Sequence, residues 1–139
     1  MIVVDTNVVS ELMRPSPEPA VRGWVRSHKG HELYTTSITL AEIRYGIERL
    51  PGGRRKDVLR TTADDVFAAF EDQVLPFDAA AALQYASIVT TRDDAGLPID
   101  GFDAQIAAIC GVHQATLATR NVKDFRDTGI DVTNPWEGT

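Results

Sequence analysis

Extended apolar segments alternate with helical patterns along this chain, and that alternation constrains the fold more than any other feature. Short runs rich in β-branched residues are typical of strands buried on both faces, whereas apolar residues at every third or fourth position indicate amphipathic helices. Strands are predicted at residues 2–5, 33–36, 115–119 and 130–132, with a further extended segment at 74–77. Helices are predicted at residues 7–13, 18–28, 38–50, 54–72, 78–95 and 102–110, the last one closed by Gly111. Strands that alternate with helices form mainly parallel sheets covered on both faces, so the sequence predicts an α/β fold.

The chain has the length of one domain. Its 139 residues contain no internal repeat, low-complexity tract or linker, which predicts a single domain over residues 1–139. The N-terminal residues lack the basic and apolar regions of a signal peptide, and no apolar run reaches the length of a membrane span. The one cysteine, Cys110, has no partner for an internal disulfide, which fits a reducing compartment. We therefore expect a cytoplasmic protein without a membrane contact.

The charge of the chain limits how it can bind nucleic acid. The net charge of −6 argues against binding through the field of the whole molecule. It does not argue against a magnesium-dependent enzyme, because carboxylates build such sites. Two local basic clusters are either ordinary surface charge or a phosphate track. They comprise Arg49, Arg54, Arg55, Lys56 and Arg60, and Arg22, Arg26 and Lys29.

Several acidic and amide residues follow the predicted strands directly. Asp5 ends the first strand, Glu42 lies in the helix after the second, and Asn121 and Asp124 follow the strand that ends at Thr119. In parallel sheets ligands bind beyond the carboxyl ends of the strands. These residues are therefore candidates for a functional site.

Each of these acids also has a purely structural interpretation. Asp5 could cap the next helix, because Asp is a favoured N-cap residue. Thr39 and Glu42 match the capping-box pattern, in which the Glu side chain bonds back to the N-cap amide. Asp124 could cap a turn ahead of Phe125. Spacing alone leaves both interpretations open for all three acids.

Asp103 is the most informative acid. Together with Ile106, Ala107 and Cys110 it lies on one face of a predicted helix, and that face is otherwise apolar. A buried charge there must be paired, hydrogen-bonded or bound to a metal. Asp100 is the better candidate for the N-cap of this helix, which favours a functional role for Asp103. Trp24 and Trp136, in contrast, are predicted to pack in the core rather than to stack on bases.

Five segments of the chain together resemble PIN domains, and most closely the VapC-type toxins with the related FitB branch. The likeness extends over nearly the whole chain. Each motif is short, and their order and spacing carry the specificity. The segments are residues 3–11, residues 37–46 with the Ala41–Glu42 pair, residues 98–108 with Asp103, residues 118–125, and residues 134–136.

The resemblance implies a fold and a chemistry. The implied fold is a PIN-like three-layer α/β/α sandwich around a mainly parallel sheet. The implied activity is an endoribonuclease that uses Mg²⁺ or Mn²⁺ and leaves a 5′-phosphate and a 3′-hydroxyl. Asp5, Glu42 and Asp103 match the family's catalytic and metal-binding acids.

The fourth acidic position of the family does not match cleanly. Asn121 stands where some relatives have Asp, and Asp124 could supply the carboxylate instead. Thr6 and Thr119 are candidate supporting residues that would orient a ligand or a water molecule.

The resemblance also implies partners: an RNA substrate, a VapB-type antitoxin encoded beside the toxin, and a second copy of the chain in a homodimer. Alternative interpretations are a receiver-like signalling domain, a dehalogenase-like phosphatase and a catalytically inactive protein-binding module. Against the receiver, the first strand offers Asp5 alone rather than an acidic pair. Against the phosphatase, Asn7 stands where a second Asp would be needed. Magnesium-dependent RNA cleavage would distinguish the enzyme from the inactive module.

Overall fold

The computed structural model describes residues 1–137, in which five parallel strands form one sheet. Residues 138–139, the end of the predicted domain, lie outside this range. The strands are β1 (Ile2–Val4), β2 (Leu33–Thr36), β3 (Val74–Leu75), β4 (Thr116–Ala118) and β5 (Asp131–Thr133). Their order in the sheet is β3-β2-β1-β4-β5. The central strand β1 pairs with β2 and β4, with Val3 opposite Tyr34 on one side and Leu117 on the other.

Helices connect the strands and cover both faces of the sheet. The α-helices are α1 (Thr6–Leu12), α2 (Pro19–Arg26), α3 (Ser37–Glu48), α4 (Arg54–Phe70), α5 (Ala79–Asp94) and α6 (Gly101–His113). Short 3₁₀ turns occur at Gly30–Glu32, Val122–Phe125 and Pro135–Glu137.

Two hydrophobic cores lie on opposite faces of the sheet. Successive side chains of a strand point to opposite faces, so the buried Val3 packs into one core and its buried neighbour Val4 into the other. The first core lies beneath α5 and α6 and includes Ile88 and Ile106. The second lies beneath α1 to α4. The predicted α/β/α sandwich with a parallel sheet is thereby confirmed.

The end of α6 differs from the sequence prediction. The helix continues through Gly111 to His113, and Gln114 ends it with a left-handed φ of 53°. A Cβ placed on Gly111 would lie 3.5 Å from Oε1 of Gln84 in α5. The prediction that Gly111 closes the helix is therefore wrong, and this glycine lies where α5 and α6 pack closely.

No helix among the residues that the structure describes is long and apolar enough to cross a membrane.

Candidate active site

One cleft contains the three acids that the sequence singled out. Its volume is about 580 Å³, and Asp5, Glu42, Asp103 and Asn121 all line it. Asp5 follows β1, Glu42 lies in the second turn of α3, and Asp103 lies in the first turn of α6. Asn121 follows β4, so these side chains meet beyond the carboxyl ends of the strands, where parallel sheets bind ligands.

Asp5 both caps a helix and lines the cleft. One carboxylate oxygen accepts a hydrogen bond from the Thr6 amide at 2.8 Å, and the other accepts one from the Thr119 hydroxyl at 2.8 Å. The side chain is only 4% exposed. Burial raises the pKa of Asp5 and the nearby Asp124 raises it further, while the two hydrogen bonds oppose that shift. The capping and functional interpretations of Asp5 are therefore compatible.

The capping-box interpretation of Glu42 is wrong. Helix α3 begins at Ser37, and its N-cap is Thr36, whose hydroxyl accepts the Thr39 amide hydrogen at 3.1 Å. Glu42 instead accepts a hydrogen bond from the Thr6 hydroxyl, at 2.9 Å. Burial raises the pKa of Glu42, the bond from Thr6 lowers it, and the charges of Asp5 and Asp100 raise it.

A short series of threonine hydroxyls holds Glu42 in place. Because the single Thr6 proton goes to Glu42, the Thr39 hydroxyl must be the donor in its 3.0 Å contact with Thr6. The Thr36 hydroxyl donates in turn to Thr39 at 3.4 Å. Thr36 and Thr39 are fully buried, so the orientation of the Glu42 carboxylate is fixed from the protein interior.

Asp103 is not the cap of its helix. The N-cap is Asp100, as predicted, and its carboxylate accepts the amide hydrogens of Phe102 and Asp103 at 3.0 and 3.3 Å. The Asp103 carboxyl is half-buried among like charges. Burial raises its pKa to about 7, with further contributions from Asp5, Asp100, Asp124 and Glu42. Asp103, Asp5 and Glu42 line one cleft, and this concentration of negative charge favours a bound cation.

Thr119 connects three parts of the cleft. Besides donating to Asp5, its hydroxyl accepts hydrogen bonds from the Asn7 side-chain amide and the Asn121 backbone amide, both at 3.1 Å. The side-chain oxygen Oδ1 of Asn7 accepts the backbone amide hydrogen of Arg120 at 3.3 Å. Thr119 and Asn7 thus join the segment after β4 to the start of α1.

The candidates for the fourth position lie differently. Asn121 lines the cleft itself. Asp124 lies in the 3₁₀ turn Val122–Phe125 and is not among the lining residues, although its charge raises the pKa of both Asp5 and Asp103. Which of the two completes the site stays a prediction.

The donor set bears on the kind of metal that fits. Within residues 1–137, no group of three or more His, Cys, Asp or Glu side chains could hold a metal ion by itself. Magnesium, however, keeps several waters and is commonly bound through one or two carboxylates and substrate phosphates. Oxygen donors whose pKa values are raised by burial and mutual repulsion fit such a hydrated hard cation, and they do not resemble a closed zinc site.

Sequence reasoning missed several residues that line the cleft. These are Asn7, Ser10, Glu11, Arg14, Arg120 and Trp136. Trp136 packs against the second core, as predicted, but it also lines the cleft. No residue of the two predicted basic clusters does so within the described part of the chain.

The fold and the cleft define a parallel α/β protein with an acidic site at the carboxyl edge of its sheet. Comparison with known proteins specifies its family. The model of the PIN domain family matches residues 2–130. The chain therefore belongs to the PIN domain family, and the resemblance seen in its motifs is confirmed.

Similar proteins of known type cover almost the whole chain. A VapC ribonuclease from Sinorhizobium fredii is 38% identical over 138 residues, which are 99% of each chain. Toxin FitB from Neisseria gonorrhoeae is 37% identical, over 98% of this chain and 99% of its own. The crystal structure of FitAcB from Neisseria gonorrhoeae superposes with a TM-score of 0.91 at 37% identity, over 98% of this chain and 99% of that one.

Proposed function

We propose that this chain is a metal-dependent endoribonuclease, the toxin of a toxin–antitoxin system. The observation that carries the proposal is the convergence of Asp5, Glu42 and Asp103 in one cleft of a PIN domain. Relatives named VapC ribonuclease and toxin FitB, each more than a third identical over nearly the full chain, support it. Membership of the PIN family argues against the receiver and phosphatase alternatives.

Asp5, Glu42 and Asp103 would together hold a hydrated Mg²⁺, or alternatively Mn²⁺, with water molecules completing its ligands. When bound, such an ion lowers the pKa of a water molecule and offsets negative charge on the phosphate. Neighbouring residues of the chain orient two of the carboxylates. Thr119 and the Thr6 amide each engage one oxygen of Asp5, and the Thr6 hydroxyl engages Glu42, so both carboxylates are held before substrate arrives.

The reaction is hydrolysis of an RNA phosphodiester bond. A water oxygen bonds to phosphorus, the bond from phosphorus to the 3′ oxygen breaks, and that oxygen takes up a proton. The products are a 5′-phosphate and a 3′-hydroxyl. Burial first, and neighbouring acids second, raise the pKa values of Asp5, Glu42 and Asp103. A bound cation would stabilise the ionised carboxylates and would offset their repulsion of an anionic phosphate, which supports a cation requirement.

We further propose that the chain acts in the cytoplasm as a single-domain homodimer and that a VapB-type antitoxin inhibits it. The crystal structure of FitAcB and a structure described as FitAB bound to DNA, both with a TM-score of 0.91, support an antitoxin partner. Sedimentation of the purified chain would test the homodimer, and a monomer at micromolar concentration would contradict it.

The test is cleavage of total cellular RNA with mapping of the cut ends. We expect cleavage with Mg²⁺ or Mn²⁺ and none with EDTA.

Asp5→Asn should lower the rate by at least about 100-fold while leaving the fold intact, because it removes one ligand charge with little change in volume. Asp65→Asn, on the exposed face of α4, is the matched control. Cleavage that persists in EDTA, or near-normal cleavage by Asp5→Asn at low magnesium, would reject the proposal, and antitoxin binding without any cleavage would favour the inactive module.

The same assay addresses the fourth carboxylate, for which we propose Asp124. A carboxylate attracts magnesium more strongly than a neutral amide does. Asp124→Asn should therefore raise the magnesium concentration for half-maximal cleavage more than Asn121→Ala does. An unchanged midpoint for Asp124→Asn would leave Asp5, Glu42 and Asp103 as the only protein carboxylates of the site.

A further inference from the structure

The cleft contains few positive charges for an enzyme that must hold RNA. Four of its lining residues are acidic, namely Asp5, Glu11, Glu42 and Asp103, and two are basic, Arg14 and Arg120. Most contacts that position a nucleic acid are made to its phosphates, and arginine suits this role because it donates two parallel hydrogen bonds. These two arginines are therefore the basic groups best placed to meet a strand that enters the cleft.

Arg14 is held by a buried acid while most of its guanidinium stays available. Its Nη1 contacts the two Glu11 oxygens at 3.4 and 3.3 Å. The Glu11 side chain is 7% exposed and also accepts the Glu18 amide hydrogen at 3.0 Å, whereas Arg14 is 61% exposed. Since both contacts use Nη1, the remaining donors of the guanidinium have no hydrogen-bond partner among residues 1–137 and can bind an anion.

Arg120 is held by an aromatic ring. Its guanidinium carbon lies 5.1 Å from the centre of the Trp136 ring, and its backbone amide donates to Asn7. Trp136 is itself packed against the second core. Stacking engages the face of a guanidinium and leaves the N–H groups at its edge for hydrogen bonds to phosphate.

The two arginines line different parts of the cleft. An adjoining apolar groove shares Thr6, Ser10, Arg14 and Glu42 with the cleft, and it is otherwise lined by Met13, Pro15, Ile43, Gly46, Ile47, Leu50, Arg55 and Leu59. Arg120, Trp136 and Asp103 line the cleft alone. Arg14 therefore lies where the cleft meets the groove, and Arg120 lies in the segment after β4.

We propose that Arg14 and Arg120 bind RNA phosphates that neighbour the one that is hydrolysed, and so position the strand in the cleft. Glu11 and Trp136 act as positioning residues that present the two guanidinium groups. The inference rests on the proposed ribonuclease function.

The test uses a defined single-stranded RNA that the wild-type protein cleaves, with Arg14→Gln, Arg120→Gln and the corresponding Lys variants. We expect each Gln variant to raise KM about 10-fold with kcat nearly unchanged, because contacts to flanking phosphates bind ground state and transition state alike. The slope of log(kcat/KM) against log salt should become shallower by about 0.7 for each arginine removed. The Lys variants should keep most of the salt slope, since they keep the charge. Arg126→Gln, an exposed arginine outside the cleft and outside both basic clusters, is the matched control for loss of one charge.

A KM and a salt slope for both Gln variants equal to those of Arg126→Gln would overturn the proposal. A fall in kcat at unchanged KM would overturn it too, because the arginines would then act on the reacting phosphate. Thermal unfolding of each variant separates a loss of the Glu11 contact from a loss of RNA binding. Affinity for uncut RNA, measured by fluorescence anisotropy in the Asp5→Asn background, separates this proposal from the ribonuclease assignment. Reduced affinity in both arginine variants would support the phosphate contacts even if no RNA were cleaved.

Discussion

The Asp103 carboxyl has a pKa of about 7 because burial and four neighbouring acids all disfavour its ionised form. In an unfolded chain the same carboxyl ionises near 3.8, the ordinary value. Between pH 3.8 and about pH 7, the folded protein keeps a proton on Asp103 that the unfolded chain has lost. Asp103 therefore contributes stability that is complete below about pH 4 and is lost as pH rises through about 7.

This linkage predicts the behaviour of Asp103→Asn without metal. In EDTA at pH 8 the variant should be more stable than the wild type by on the order of 1 kcal/mol, a modest value because solvent screens a half-exposed carboxyl. Near pH 4 the two proteins should unfold alike, since the wild-type carboxyl is then protonated. Urea unfolding from pH 4 to 8 measures both, with the exposed Asp93→Asn as control. If the free energy of unfolding of wild type and Asp103→Asn changed with pH in the same way, the raised pKa of Asp103 would be contradicted.

At the scale of elements, a buried arginine ties together the two segments that follow α5 and β4. Arg92 in α5 is 6% exposed. Its Nε donates to the Leu97 carbonyl at 2.6 Å, and its Nη1 donates to the carbonyls of Asp124 and Arg126, both at 2.8 Å. Leu97 precedes the helix that carries Asp103, and Asp124 lies in the 3₁₀ turn after β4. One side chain thus holds two acid-bearing segments at a fixed distance.

Replacing Arg92 should therefore affect both stability and catalysis. Arg92→Met leaves three carbonyls without their donor, and a buried unsatisfied group costs about 1–3 kcal/mol, so we expect a loss of about 3 kcal/mol in urea unfolding. The rate of RNA cleavage at saturating magnesium should fall with it, because Asp103 and Asp124 lose their mutual placement. Arg126→Gln, which removes an exposed side chain but keeps the Arg126 carbonyl, is the control. Full activity in a destabilised Arg92→Met protein would limit this arginine to a structural role.

The elements also show which parts of the site a sequence can predict. Periodicity located each strand and α-helix, and the rule for parallel sheets placed Asp5, Glu42, Asn121 and Asp124 at the same edge. Asp103 stands out instead as an acid on an otherwise apolar helix face. The sequence could not choose between two roles for Glu42, because the capping-box pattern is local. The group that bonds Glu42 is the Thr6 hydroxyl, which lies 36 residues away in the sequence.

The cleft's other lining residues were missed for a related reason. The sequence predicts that Trp136 is a packing residue, and it does pack against the second core. The same side chain also supports the Arg120 guanidinium at the cleft. A pattern of apolar positions cannot report that one ring has two functions. Glu11 and Arg14 form a pair three residues apart near the end of a helix, which by spacing alone is indistinguishable from a surface ion pair. The burial of Glu11 and the place of both residues in the lining of the cleft distinguish this pair from a surface ion pair.

At the scale of the whole molecule, the continuity between the acidic cleft and the apolar groove suggests how an antitoxin inhibits. The groove has a volume of about 500 Å³ and opens onto the cleft beside Glu42 and Arg14. A peptide segment with apolar side chains in the groove would bring its next residues to the carboxylates. A cation there satisfies the same charges as the metal, through hydrogen bonds strengthened by both charges.

We therefore predict that the cognate antitoxin places an Arg or Lys side chain against Asp5, Glu42 and Asp103. Replacing that residue with Ala should leave the antitoxin bound through its apolar contacts while the complex regains RNA cleavage. Raising the magnesium concentration should relieve inhibition by the intact antitoxin, since ion and side chain compete for the same carboxylates.

Leu59→Ala, which alters the groove but not the cleft, should weaken antitoxin binding about 10-fold with little effect on the free enzyme, because a shortened apolar anchor loses packing and not charge. Both effects can be measured by titrating antitoxin into the cleavage assay at several magnesium concentrations. An antitoxin that binds tightly without slowing cleavage, or whose inhibition is unchanged by magnesium, would show that it acts away from the acids.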